Sequence, residues 1–165
     1  MPEEIKRAEK QPIESQVSYP DAYSLFQNRN FSFLPHGDYT EFVVPLAVTV
    51  KKFYLPPDTF AVSLNTEYSV LYLYSPSQEG GKVQVSDKLD NSEISWITDF
   101  LDYRGEKFSD NMWSLSQKDF NILEILCQER YKSMRKTIVT EMNPYTPIND
   151  ILKVLKAMID IVGEC

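Results

Sequence analysis

His36 is the only histidine in the chain, and Cys127 and Cys165 are the only cysteines. Any Cys-His or Ser-His nucleophile pair must therefore use His36. That residue sits in the run Pro35-His36-Gly37-Asp38, itself a turn signal in which Gly37 permits the turn and Asp38 caps it, so the imidazole is expected to be structural or solvent-facing. Cys127 recurs with Leu123 and Tyr131 at helical spacing, an apolar position where a thiol packs rather than reacts. One histidine and two cysteines also fall short of the roughly four ligands of a structural zinc site.

Carboxylates offer two further candidates. Asp87, Asp90 and Glu93 could gather round a hard cation, but the run lacks a calcium-loop pattern, and acids favour a helix N-terminus in any case. Asp99 and Asp102 share a helix face, which a solvated surface explains without a carboxylate dyad. The five glycines form no phosphate-cradling motif, and Gly80-Gly81-Lys82 lies between two strand patterns, where it reads as a hairpin turn. Neither a catalytic set, a metal nor a cofactor is expected.

The tyrosines remain. Ten tyrosines and nine phenylalanines exceed what one small core needs, and tyrosine suits surfaces that meet both water and a partner. Tyr68, Tyr72 and Tyr74 are candidate contact residues on one strand. A nucleic-acid stacking platform would need lysine or arginine beside them, and residues 59–81 contain neither. The formal net charge of -7 likewise disfavours binding to a phosphate backbone, while permitting a basic protein partner.

The elements that must position these groups divide the chain by hydrophobic period. Phe42, Val44, Leu46, Val48 and Val50 recur at every second position, the period of a strand. Phe120, Leu123, Cys127, Tyr131, Met134 and Ile138 recur at every third or fourth, the period of a helix. The change falls near Ser86 to Asn91 and predicts a segregated α+β fold.

An antiparallel meander of four to five strands is expected over about 31–86: Phe31 to Leu34, Glu41 to Tyr54, Thr59 to Leu64, Tyr68 to Tyr74, and Lys82 to Ser86. Pro45 places its strand at an edge or a bulge, and apolar residues on both faces of Tyr68 to Tyr74 make that strand central. Three helices follow, over about 92–103, 116–141 and 147–162, with a polar loop from Tyr103 to Met112. Ser116 caps the second helix, whose length would make it a spine across the sheet. Residues 1–30, with Pro2, Pro12 and Pro20, read as an extended polar arm preceding a single domain over 31–165. Tyr19, Tyr23, Leu25 and Phe26 are the arm's expected partner anchors.

No apolar run is long enough to span a bilayer, and the first residues lack the apolar segment of a secretory signal. Few cysteines fit a reducing compartment, so a cytoplasmic setting, or the interior of a virion, is expected. The pattern points to a non-catalytic protein-interaction subunit or adaptor of a larger assembly, viral or phage assemblies included. A soluble acidic chaperone or inhibitor with a basic or unfolded partner is the alternative, and a carboxylate-based enzyme a remote third.

Overall fold

Period-two and period-3.6 segments build separate sheets and helices, in three layers rather than two, with one strand hairpin set between the first two helices. The structure, a computed structural model, describes residues 11–16, 31–46 and 49–163. The strands are β1 (Gln11–Gln16), β2 (Ser32–Pro35), β3 (Thr40–Leu46), β4 (Thr49–Leu55), β5 (Thr59–Asn65), β6 (Val70–Ser75), β7 (Lys82–Val85), β8 (Glu106–Ser109) and β9 (Met112–Ser116). The helices are α1 (Asn91–Arg104), α2 (Gln117–Leu126), α3 (Lys132–Glu141) and α4 (Ile148–Gly163). A small antiparallel sheet runs β1-β4-β3-β2 and a large one β7-β6-β5-β9-β8. The α+β class is as expected.

Alternation along β6 explains the layering, because successive side chains point to opposite faces. Leu71 and Leu73 face the helices, and Val70, Tyr72 and Tyr74 face the small sheet. All six residues of β6 are buried, so it is doubly covered as its composition predicts, an interior strand beside the middle strand β5. The large sheet thus carries a core on each side. On the helical side Val62, Leu64, Trp113 and Leu115 meet Trp96, Ile97, Phe100, Leu123, Ile138 and Ile151. On the other side Phe33, Phe42, Val44, Phe53 and Leu55 of the small sheet meet Ala61, Tyr72, Tyr74 and Met112. The aromatic surplus is consumed largely here, between the two sheets. Phe42 alone lies within ring-contact distance of Phe33, Phe53, Tyr74 and Phe108, with centroids 4.8–6.3 Å apart.

Three expectations need correction. Glu41 to Tyr54 is a hairpin, not one strand: Leu46 pairs with Thr49, Val44 with Lys51 and Phe42 with Phe53. Any two paired positions then differ in parity, so the buried set passes from even (Phe42, Val44) to odd (Phe53, Leu55) across the turn. Val50, read as part of the even face, pairs with Pro45 instead, and among the described residues the ladder from β2 reaches Val43. The expected meander is accordingly six strands over 32–85, shared between two sheets.

The polar loop expected from Tyr103 to Met112 contains a strand and the start of another. β8 and β9 form a hairpin through Asp110-Asn111, with Asn111 at φ 58°, and β9 alternates Trp113 and Leu115 toward the helices with Met112 toward the small sheet.

The helix expected over 116–141 is two helices. Ser116 does cap α2, its hydroxyl accepting from the Asp119 N–H at 3.3 Å. The chain then leaves the helical path at Cys127-Gln128, passes a single 3-10 turn over Glu129–Tyr131, and starts again as α3. Every residue of the predicted stripe is still in or against the helical core, but the break folds the second half back against α1. Among the described residues, the three expected helices are therefore four.

The expected arm is only partly described: Gln11–Gln16 pairs with β4 as an edge strand, with Ile13 opposite Val50. Tyr19, Tyr23, Leu25 and Phe26 lie outside the described residues. No described helix is long and apolar enough to cross a membrane.

Candidate protein-contact surface

Each reactive group singled out from sequence has a settled place. Cys127 is buried beneath the helices, where burial pushes its thiol up to about 12 despite the neighbouring Arg135. His36 stands in the turn between β2 and β3, whose His36 N–H donates to the Tyr39 carbonyl at 2.8 Å with Gly37 at φ 88°. The large sheet separates that turn from Cys127, so the two cannot act as a pair.

Asp87, Asp90 and Glu93 do converge, but around cations of the same chain. The Arg135 guanidinium donates through Nε to Glu93 Oε2 at 2.7 Å, and through Nη1 and Nη2 to the two Asp87 oxygens at 2.9 and 3.0 Å. Nη1 also reaches the Leu126 carbonyl at 2.9 Å, an acceptor freed by the break after α2. Lys136 pairs with Asp90 at 2.7 Å, and Asp90 and Glu93 form a reciprocal capping box at the start of α1. Burial works against the charge on Arg135, yet the bonds to Asp87 and Glu93 outweigh it and raise its pKa. This cluster is a structural joint between α1 and α3. Asp99 is solvated on α1, while Asp102 accepts from the Trp113 indole at 2.9 Å. Among the described residues, no group of three histidines, cysteines or carboxylates is arranged to hold a metal ion.

Tyr72 and Tyr74 are completely buried between the sheets, and burial raises the Tyr74 phenol well above its ordinary value. Neither can meet a partner. Tyr68 is exposed in the β5–β6 turn, where its N–H donates to Asn65 Oδ1.

Among the described residues, the outer face of the small sheet is a candidate surface for contact. Since Phe42 and Val44 point inward, Glu41 and Val43 point outward, together with the residues paired to them: Leu34 and Tyr54 beside Glu41, Ser32 and Lys52 beside Val43. Glu41 is the centre of this face. Its carboxylate accepts from His36 Nε2 at 3.2 Å and pairs with Lys52 at 2.9 Å. Partial burial works to raise the Glu41 pKa, but hydrogen bonds from Lys52 and His36 outweigh it and leave it below the ordinary carboxylate value. Lys52 is raised in turn, first by Glu41 and then by Tyr54. Rings continue the row: His36 stacks on Tyr39 with centroids 4.9 Å apart, and Tyr39 meets Tyr54 edge-on at 5.3 Å. Lys52 Nζ stands 5.6 Å over the Tyr54 ring. An exposed ion pair of this kind is worth only about 0–1 kcal/mol to stability, so its consequence is to fix where the rings stand.

Beside Tyr54 the face falls into a cleft of about 240 Å³ between the two sheets, lined by Tyr54, Pro56, Glu106, Lys107, Phe108 and Ser114. That is smaller than the roughly 300–1,000 Å³ of small-molecule sites and suits one inserted side chain. Sequence reasoning passed over Tyr39 and Tyr54 because Tyr54 ended a strand assumed to be continuous. The legible signal was parity: once Phe53 and Leu55 are inward, Tyr54 must be outward.

Compared with known protein families, curated proteins and solved structures, the chain matches none of them.

Proposed function

We propose that this protein is a non-catalytic protein–protein interaction subunit or adaptor of a larger assembly, and that a partner docks on the outer face of its small sheet. The observation that carries this reading is the row His36–Tyr39–Tyr54, held on a paired hairpin and braced by Glu41 between His36 and Lys52. Tyrosines fixed in advance present large contact area at low entropic cost, which is how binding hot spots are built. The adjoining cleft gives a partner side chain somewhere to anchor. Charged groups alternate with the rings on this face, which favours a defined partner over the unfolded chains that a chaperone would take.

The test places a photo-crosslinking amino acid at Leu34, on this face, and separately at Lys153, on the exposed side of α4. In the native source a discrete adduct is expected from position 34 alone, lost when Tyr39 and Tyr54 are both alanine. Adducts that are the same from both positions, or that survive the double substitution, would overturn the reading.

A further inference from the structure

A second exposed aromatic site lies on the helical side of the molecule. Tyr103, at the end of α1, is 61% exposed, and Tyr145, between α3 and α4, is 50% exposed; both exceed the other large exposed apolar side chains. They meet edge to face with centroids 5.1 Å apart and ring planes at 82°. The pair is held from below. Arg104 donates through Nη2 to the Thr146 carbonyl, while its guanidinium lies 5.4 Å from the Tyr103 ring and 5.1 Å from Phe100. The Tyr145 N–H donates to Asn143 Oδ1 at 2.7 Å, and the Trp96 indole to the Met142 carbonyl at 2.8 Å, fixing the loop against α1. Two rings standing this far into water on so constrained a frame are not explained by packing.

We infer that Tyr103 and Tyr145 receive an arginine side chain of a basic segment in a protein partner. Ring faces attract a guanidinium through their quadrupole, as that of Arg104 over the Tyr103 ring already shows. Charge agrees. Asp99 lies one helical turn before Tyr103, exposed and without an ion pair among the described residues, and the whole chain is acidic at -7. Asp119 stands 4.0 Å from Arg104 and offsets part of its charge, so the resident cation repels an incoming one less. The inference rests on the reading of the protein as a binding subunit, but uses a different surface, so the two can fail separately.

The test titrates the full chain with a short blocked peptide of arginine flanked by glycines, followed by NMR at Tyr103 and Tyr145. A peptide carrying neutral citrulline, nearly isosteric with arginine, is the control. Saturable shifts confined to this pair are expected, with affinity falling about two- to fivefold for the citrulline peptide and for Tyr103→Leu, which keeps apolar bulk but loses the ring. Asp99→Asn should weaken binding similarly. Tyr39→Ala with Tyr54→Ala should leave the titration unchanged, which separates this site from the small-sheet face. Non-saturating shifts, equal affinity for both peptides, or an unaffected Tyr103→Leu variant with an unchanged urea midpoint would each overturn the inference.

Discussion

Replacing Arg135 by alanine should destabilise this protein more than almost any other single change outside the apolar cores. The side chain is wholly buried and donates four hydrogen bonds, to Glu93, twice to Asp87, and to the Leu126 carbonyl. Its loss leaves the Glu93 carboxylate, 2% exposed, with only its capping bond to the Asp90 N–H and Lys136 at 3.6 Å. It also strands the carbonyl at the helix break. Removing one member of a buried ion pair costs about 3–5 kcal/mol, because the partner's charge stays behind. At roughly 2–4 °C per kcal/mol for a chain of this size, Tm should fall by about 6–20 °C. Trp96 and Trp113, both buried, report the transition by fluorescence in urea. The double variant Arg135→Met with Glu93→Gln, which removes both charges, should lose less than the sum of the single losses, by more than about 1 kcal/mol. A loss under about 1 kcal/mol for Arg135→Ala, or strict additivity in the cycle, would refute the assignment of this cluster as the joint between α1 and α3.

Other outcomes follow from the same geometry. Phe42→Ala, which empties a wholly buried site touching four rings, should cost about 3–5 kcal/mol by urea unfolding, and a cost near zero would mean that the sheets do not interlock there. In a Cys165→Ser background, Cys127 should stay unreactive toward a thiol reagent near pH 8 until urea unfolds the chain, since its buried thiol ionises only at about 12; rapid native-state labelling would contradict that burial. The lowered folded pKa of Glu41 means that its contribution is present above its ordinary value of 4.5 and is lost as pH falls through the lower folded value. Carbon-detected titration of Glu41 should show that depression, and Lys52→Met should reduce it; an unchanged titration would remove Lys52 as its cause.

How far the sequence could be read depended on whether a feature was local. The turn at Pro35-His36-Gly37-Asp38, the cap at Ser116 and the burial of both faces of β6 follow from neighbouring residues, and each was predictable. The hairpin inside Glu41 to Tyr54 was hidden because Val48 and Val50 prolong the alternation through the turn. The break after Leu126 was hidden for a similar reason: the apolar spacing continues through Cys127 and Tyr131, and the carbonyl the break frees is satisfied by Arg135, nine residues away. The burial of Tyr72 and Tyr74 was not legible, because residue type alone cannot tell a tyrosine facing a second sheet from one facing water.

By itself, then, the sequence determined the class, the capped start of α2 and the apolar stripes of β6 and of the helices, since period and capping act within a few residues; the β8–β9 hairpin between α1 and α2 it did not show. Only the tertiary structure decided which faces are covered. Folding the strands into two sheets gave β6 two dry faces and left the row His36–Tyr39–Tyr54 outside. It also set Arg135 among acids that sequence alone would leave to solvent or a cation. Those outcomes turn on contacts between different elements, such as Phe42 with Tyr74 and Arg135 with Asp87 and Glu93, and no local pattern encodes them.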